Sequence, residues 1–476
     1  MKYPLIGKLM ALAAVVATLA MALGAVDGVS VERQRRQMEA QQSVADSLAA
    51  SQTLLGPLLR RQCTESWSRI DGEGKAAKQV DEHRDFTQLL WPRKLQVRTR
   101  ATVEPRYRGV FKVNGYLSRS TLTADWSTTA LPVVASNGDR SKAQIRCEAA
   151  TVAVALGDAR GVRSAVILVD GKSMAVMPGS GMPASAHGLH AVVQDRESPD
   201  APMHVEITLA LAGTGSLAWA PVGDESTVQA ESDWAHPSFA GHFLPISREV
   251  SAKGFEAQWQ VSALATTAQQ AVRSGGGICE LNDSGAVQQA SAAANAKSPC
   301  VDTFGVLFID PVNSQVLSER AIKYGLLFVV LTFVCVALVE VMRQLRVHPV
   351  QYLLVGCALT VFFLLLLSLG EHVSFGIAYF CASAACTALL TFYGCHLLRG
   401  VRHGLAFGAT IAGLYGALFA LLQLEQTALV LGSILLFAVI AAVMVATRRV
   451  DWYALAQQLQ QAPASEEAGA VEGAPA

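Results

Sequence analysis

The chain has 476 residues, of which 51% are hydrophobic and only 16% charged, with a formal net charge of zero and a mean hydropathy of +0.33. A soluble domain carries about 25% charged residues, so this composition excludes an ordinary soluble globule, and zero net charge gives no reason to invoke nucleic acid as a partner. The charge is uneven: residues 31 to 320 read as a water-soluble sequence, whereas the apolar runs between Ala321 and Ala446 hold almost none.

A membrane span needs ~20 mostly apolar residues. The first such run, Leu9–Val26, follows Lys2 and Lys8. It exceeds the usual 7–15 residue core of a signal peptide and reads as a retained anchor, with a signal cleaved after the small residues of "MALGAVDG" as the alternative. The stretch "VERQRRQMEAQQSVADSLAASQTLLGP" is rich in good helix formers, which predicts a helical stalk over about 29–55, ending before Gly56-Pro57. Its basic "RQRR" at 33–36 runs against the positive-inside rule, from which long translocated domains are largely exempt.

The period then changes. "LQVRTRATVEPRYRGVFKVNGYLSRSTLTADW", "RSAVILVDG", "HVEITLALAG", "STVQAESDW" and "GFEAQWQVSAL" are β-branched, often alternating, and bounded by turn residues. So many short strands predict a β-rich, sandwich-like domain. No glycine-rich phosphate loop follows a strand and opens a helix. Of nine cysteines, those at 335, 357, 381, 386 and 395 fall in apolar runs, where a thiol acts as a small apolar filler. Cys63, Cys147, Cys279 and Cys300 fall in the polar segment. Cys279 and Cys300 flank a polar, alanine-rich loop, and one reading is a disulfide closing it, worth roughly 3 kcal/mol. There is no CxxC, and the spacings do not suggest zinc.

Five further runs follow: Ile322–Val341, Val350–Leu369, Val373–Cys395, Leu405–Leu424 and Thr427–Ala446. Their connectors alternate. Those at 343–348, 396–403 and 447–449 are basic, whereas 370–372 and 424–426 are short and carry Glu. The positive-inside rule puts the basic ones in the cytoplasm. The expected fold is therefore an α+β membrane protein with six transmembrane helices, one N-terminal and five C-terminal, and a large periplasmic domain. Its parts are a cytoplasmic N-terminus with anchor (1–28), a β-rich periplasmic domain (29–320), a five-helix membrane domain (321–447) and a cytoplasmic tail (448–476). Both termini are then cytoplasmic, and the small, polar tail should be disordered.

Three places carry possible chemistry. "WAHPSFAGHFLP" (234–245) gathers Trp234, His236, Pro237, Ser238, Phe239, Gly241 and His242. A zinc or copper site would need a third ligand, which His187 and His190 could in principle supply from elsewhere, but no spacing demands it. A serine hydrolase would need a glycine elbow around Ser238, which Pro237 denies. A rigid corner between strands, or a surface recognised by a partner, accounts for more of these residues. In the membrane part, Glu340, Glu371, His372 and Glu425 fall at run ends or turns, where contact with water is expected. Glu371 and His372, at the outer mouth, are candidates for a proton-responsive or partner-contacting role. Arg320, Lys323 and Tyr324 cluster where the polar segment meets the first C-terminal run, as interfacial anchors or a lipid-headgroup contact.

"FGVLFIDPVNSQVLSERAIKYGLLFVVLTF" (304–333), "RVHPVQYLLVGCALTVFFLLLLSLGEHVSFGIAY" (346–379), "TRRVDWYAL" (447–455), "GDARGVR" (157–163) and "SDWAHPSFAGHFLP" (232–245) resemble the CreD family of inner-membrane proteins. The resemblance is nearly continuous toward the C-terminus and patchier in the polar segment. It implies a role in cell-envelope integrity, colicin tolerance and the response to envelope and β-lactam stress. It supplies no reaction, catalytic residue or cofactor. The reading is a non-enzymatic protein whose partners are the lipid bilayer and a periplasmic or envelope protein. A transporter or lipid-handling protein would instead need a polar cavity between spans, and a periplasmic hydrolase or metalloenzyme would need convergent polar groups around His236 and His242.

Overall fold

The computed structural model describes residues 4–71, 78–128, 144–193, 201–279, 281, 300–310, 314–343, 347–397, 400–423 and 428–448. Glu425, the loop between Cys279 and Cys300 apart from Leu281, and the tail beyond 448 lie outside them. The chain divides into two units, one made of residues 1–36 with 312–476 and one of residues 37–311. Helix α1 (Pro4–Ser47) contributes to both.

The second unit is built on two sheets. The first holds β1 (Gln52–Asp71), β2 (Lys78–Leu90), β5 (Gln144–Cys147), β6 (Thr151–Leu156), β9 (Met177–Pro178), β10 (Gly188–Val192), β12 (Ser216–Trp219), β14 (Ser238–Gly241) and β17 (Phe304–Leu307). Its order is β14-β17-β12-β1-β6-β10-β9, and β2 and β5 pair with the far half of β1. The second holds β3 (Lys94–Arg108), β4 (Phe111–Trp126), β7 (Val162–Val169), β8 (Lys172–Met174), β11 (Met203–Thr214), β13 (Glu225–Ser232), β15 (Ser247–Ser251) and β16 (Gly254–Ser262). They run in the order β15-β16-β13-β3-β4-β11-β7-β8. The pairings are mixed: β1·β12 and β3·β13 are parallel.

Alternation fixes which face each strand buries. On β3, Leu95, Val97, Thr99 and Ala101 are buried, while Gln96, Arg98 and Arg100 are exposed. The buried faces of both sheets meet in one core. Its aromatic centre comes from both: Trp219 of the first sheet lies 5.8 Å from Trp259 of the second, and Trp259 lies 5.6 Å from Phe304.

The helix expected to reach about residue 55 ends at Ser47, and the chain is in β1 from Gln52. Short apolar runs such as Leu54-Leu55 and Leu58-Leu59 suit a helix or a buried strand equally well by pattern. Tertiary pairing decides here, because Gln52, Thr53 and Leu54 lie beside Leu217, Ala218 and Trp219, and Leu54 and Leu59 pair with Leu156 and Val152.

The first unit is helical: the start of α1, α3 (Ser314–Lys323), α4 (Gly325–Arg343), α5 (Pro349–Leu369), α6 (Phe375–Leu397), α7 (Val401–Gln423) and α8 (Ala428–Thr447). A short helix α2 (Ala268–Arg273) belongs to the sheet unit. Among the described residues, four helices are long and apolar enough to cross a membrane, or five if α3 and α4, bent by 44° at Tyr324, form one span. The run expected to begin at Ile322 is thus broken at Tyr324, with its start in α3 if the bent pair is one span and at Gly325 if it is not. The helix interfaces carry aromatic rings, with Phe362 4.5 Å from Tyr415 and Phe328 4.7 Å from Tyr415. Phe380, Phe392 and Phe437 are exposed, as rings facing lipid should be. Helix α1 is packed into this core: Leu19 and Leu23 are buried, and a Cβ on Gly356 of α5 would collide with the Leu19 side chain. Small residues at helix interfaces allow such close approach.

Candidate functional site

The segment 233–245 is a corner that carries the chain from one sheet to the other. It leaves β13 in the second sheet, forms β14 in the first opposite β17, and returns as β15. Corners of this kind occur where strands switch sheets. The Trp234 indole donates to the His236 carbonyl at 2.8 Å, and the two rings meet edge to face. Phe239 packs 5.6 Å from Phe255 and 5.7 Å from Trp259, and Phe243 lies 6.0 Å from Phe304. Gly241 has φ +101 and lies against Thr303 and Phe304 so tightly that a Cβ would collide with their backbone. Pro237 sits in the irregular bend before β14, and Ser238 opposite Leu307.

The two histidines of the corner are held differently. Both are exposed, but His242 is tied down: its amide donates to Thr303 O at 2.9 Å and its Nε2 lies 3.5 Å from Asp302. Asp302 also accepts from the Thr266 and Thr267 hydroxyls and the Thr267 amide at 2.7–3.0 Å. Burial pushes the Asp302 carboxyl up, but these donors, with His242, outweigh it and hold the pKa below the ordinary value. The Asp302 cluster therefore ties 266–267, 242 and 302 together. Among the described residues no group of three or more His, Cys, Asp or Glu is placed to hold a metal. His190, a distant ligand candidate, meets the Gly179 carbonyl at 2.6 Å.

A second constellation in the same unit was not singled out by residue type. The loop Gly157-Asp158-Ala159-Arg160-Gly161 clasps the exit of α1. Asp158 accepts from the Ala50 amide at 2.9 Å and from the Arg160 guanidinium at 2.7–3.1 Å, and Arg160 donates to the Asp46 carbonyl at 2.9 Å. Fully buried Gln52 donates to the carbonyls of Asp158 and Ala212 and accepts from the Asp158 amide. At Gly161 a Cβ would collide with Ala212 O and the Gln52 amide, so only glycine fits. Arg160's hydrogen bonds, opposed by burial and helped by two amides, hold the Asp158 carboxyl at about 2, below its usual 3.8. The "GDARGVR" string was the available signal, but a sequence does not say what such a loop grips.

Both disulfides lie in this unit. Cys279 and Cys300 are joined, and so are Cys63 of β1 and Cys147 of β5, which lie opposite each other in register. The Cys63–Cys147 pair was open to elimination once two of the four cysteines in the polar segment were matched.

In the helical unit the expected water contact of Glu340 is wrong. Glu340 is 9% exposed. It accepts from Lys8 of α1, from the Tyr352 hydroxyl at 2.8 Å and from the Val347 amide at 3.1 Å. Its place near a run end suggested solvent, but α1 and the start of α5 cover it. Glu371 is likewise mostly covered, paired with Arg33 at 3.2 Å, while His372 is exposed. Gln34 reaches Glu319 at 3.3 Å. Within the basic "RQRR", anomalous by sequence, Arg33 thus meets Glu371 and Arg36 meets Glu32 of its own helix. Lys323 pairs with the same Glu319 at 2.7 Å. Arg320, one turn before Tyr324, is half-buried.

Residues 4–453 match the family model described as Inner membrane protein CreD. Inner membrane protein CreD of Escherichia coli (strain K12) is 31% identical over 455 residues, covering 95% of each chain. A crystal structure from Legionella pneumophila, named for an inferred nutrient-binding role, aligns with TM-score 0.26 and 7% identity over 51% of this chain and 77% of that one. That score is too low to bear on the fold.

Proposed function

The chain belongs to the CreD family of inner-membrane proteins, and from that premise we propose a non-enzymatic role in cell-envelope integrity and the envelope-stress response. In this reading the sheet unit lies on the periplasmic face and contacts an envelope component or partner protein. Six spans (α1, the bent pair α3 and α4, then α5 to α8) hold it there, with both termini cytoplasmic.

The observation that carries the placement is the distribution of sulfur. Both disulfides belong to the sheet unit, and all five free cysteines, Cys335, Cys357, Cys381, Cys386 and Cys395, belong to the helical unit. Disulfides form and persist in oxidising compartments such as the periplasm. The alternation of basic and Glu-bearing connectors supports the same orientation. The corner at Trp234, His236, Pro237, Phe239, Gly241 and His242, with Glu371, His372, Arg320 and Lys323, is the proposed set of contact residues. Of these, exposed His236 and His372 are free to meet a partner without unfolding anything.

Complementation of a deletion strain under envelope stress tests the proposal. The full chain restores tolerance, and a chain in which a short linker replaces residues 48–310, although inserted in the membrane, does not. Restoration by the helices alone would sink the role given to the sheet unit.

A further inference from the structure

The outward face of the second sheet carries an arrangement that neither its fold nor the corner requires. A cavity of about 670 Å³ opens on it, and four arginines line it: Arg98 and Arg100 of β3, Arg119 of β4 and Arg163 of β7. Two carboxylates, Glu231 and Glu256, stand at its opposite margin. Arg100 is paired with Glu231 through hydrogen bonds of 2.8–3.1 Å, but both side chains are more than half exposed and the pair offsets its charge only in part. Arg98, Arg119 and Arg163 are exposed and have no ion-pair or hydrogen-bond partner among the described residues.

The register shows how these guanidinium groups converge. Arg100 lies directly opposite Arg119 across the antiparallel pair β3·β4, and like charges so placed destabilise a sheet. The next strand offers Ala210 opposite Arg119, a small side chain that leaves the floor low. On β7, Ser164 pairs with Ala210 and Val162 with Leu211, so Arg163 is the extra residue of a bulge. Bulges re-aim a side chain out of the regular alternation. The result is a shallow trough with an alanine floor, walled by arginines on both sides, with Thr102 and Thr121 beside them. Local violations of sheet electrostatics are expected where a site has a use.

From this arrangement we propose that the trough is a binding site for a ligand bearing two or more phosphate oxyanions. Guanidinium groups bind phosphate through paired, charge-assisted hydrogen bonds, and a multivalent anion relieves the repulsion between Arg100 and Arg119. The lining, among the described residues, has no aromatic ring on which bases would stack, as single-stranded nucleic acid requires. The phosphates come either from a soluble phosphorylated molecule or from acidic lipid headgroups. The inference stands on this face alone and not on the compartment proposed above.

The test uses the full chain in phosphatidylcholine nanodiscs. One arm titrates inorganic tripolyphosphate by calorimetry. The other measures co-flotation with phosphatidylcholine vesicles with and without phosphatidylglycerol. Arg119→Gln and Arg163→Gln each weaken the interaction about tenfold, as expected for loss of a charged hydrogen-bond donor. Arg248→Gln, on β15 outside the trough, leaves it unchanged. Arg119→Gln also leaves the unfolding temperature equal or higher, because it removes a like-charge pair, so lost binding is not lost folding. Binding in the tripolyphosphate arm assigns a soluble ligand, and binding in the vesicle arm a headgroup. Binding in neither arm overturns the proposal, as does binding that survives both substitutions and so reflects only general charge.

Discussion

Each unit satisfies a buried carboxylate at one end of the same helix, and the two are satisfied differently. In the sheet unit Asp158 faces a guanidinium whose side chain is 54% exposed, and it fixes the chain leaving α1 through the Ala50 amide. In the helical unit Glu340 draws on three donors, Lys8, Tyr352 and Val347, and is itself nearly covered. Both carboxylates are covered to the same degree, with side chains 10% exposed at Asp158 and 11% at Glu340, and each cation partner stays partly in water. The difference lies in the other donors: breaking the second cluster also orphans the Tyr352 hydroxyl and the Val347 amide, whereas the first holds the chain through the Ala50 amide. Lys8 and Arg33 are 25 residues apart in α1, about 37 Å at 1.5 Å per residue. That spacing exceeds a hydrocarbon core of ~30 Å, long enough for a membrane-spanning α1 to keep both charges out of it.

The comparison sharpens most if the sheet unit depends on covalent ties that the bundle lacks. Replacing Cys63 and Cys147 by serine removes a cross-link between residues 84 apart and should cost about 4 kcal/mol. The expected readout is a lowered unfolding midpoint followed by tryptophan fluorescence, because Trp91, Trp126, Trp219, Trp234 and Trp259 all belong to the sheet unit. Next comes Glu340→Ala, which should cost the helical unit about 3 kcal/mol, seen as lower yield and midpoint in detergent. Glu340→Gln, which keeps an acceptor for Tyr352 and Val347, should cost less. Equal losses from the two variants would mean that only the charge of Glu340 matters.

Asp158→Asn should cost about 2 kcal/mol at neutral pH, with a pH dependence that identifies the carboxylate as the cause. The folded-state pKa is depressed to about 2, so this stabilisation is fully present above the ordinary carboxylate value near 3.8 and is lost as pH falls through about 2. The wild-type midpoint should therefore fall toward that of the variant across this window. A constant gap between them would remove Asp158 as the cause. The smallest effect is expected from Arg33→Ala, about 1 kcal/mol or less for a partly exposed pair with Glu371, read as a small loss of thermal stability that Arg33→Lys restores.

Much of this architecture is visible in the sequence for simple reasons. The apolar runs are long enough to stand out by length alone, and alternation on segments such as 94–101 marks both the strand and its buried face. What is hidden is whatever depends on residues far apart in the chain. Lys8 and Glu340 are separated by 332 positions, and Gln52 and Asp158 by 106. No local pattern announces either pair. The stalk ends at Ser47 and not near residue 55 because Leu54, Leu55, Leu58 and Leu59 suit two periods, and only pairing with Leu217–Trp219 and Val152–Leu156 selects one. At the corner, the residue types first suggested chemistry. The rings of Phe239 and Phe243 instead join the aromatic centre shared by both sheets, a role that their spacing alone does not reveal.

The placement of the sheet unit outside the cytoplasm is the claim on which the functional reading turns, and thiol labelling tests it directly. In a background with the five free cysteines replaced by alanine, Leu264→Cys and Arg402→Cys are made separately. Leu264 is 99% exposed in the sheet unit, and Arg402 is exposed at the start of α7 in a basic connector. The account predicts that a membrane-impermeant maleimide labels Cys at 264 in intact spheroplasts, and labels Cys at 402 only after the membrane is opened. Labelling at 402 before opening, with 264 protected, would contradict it.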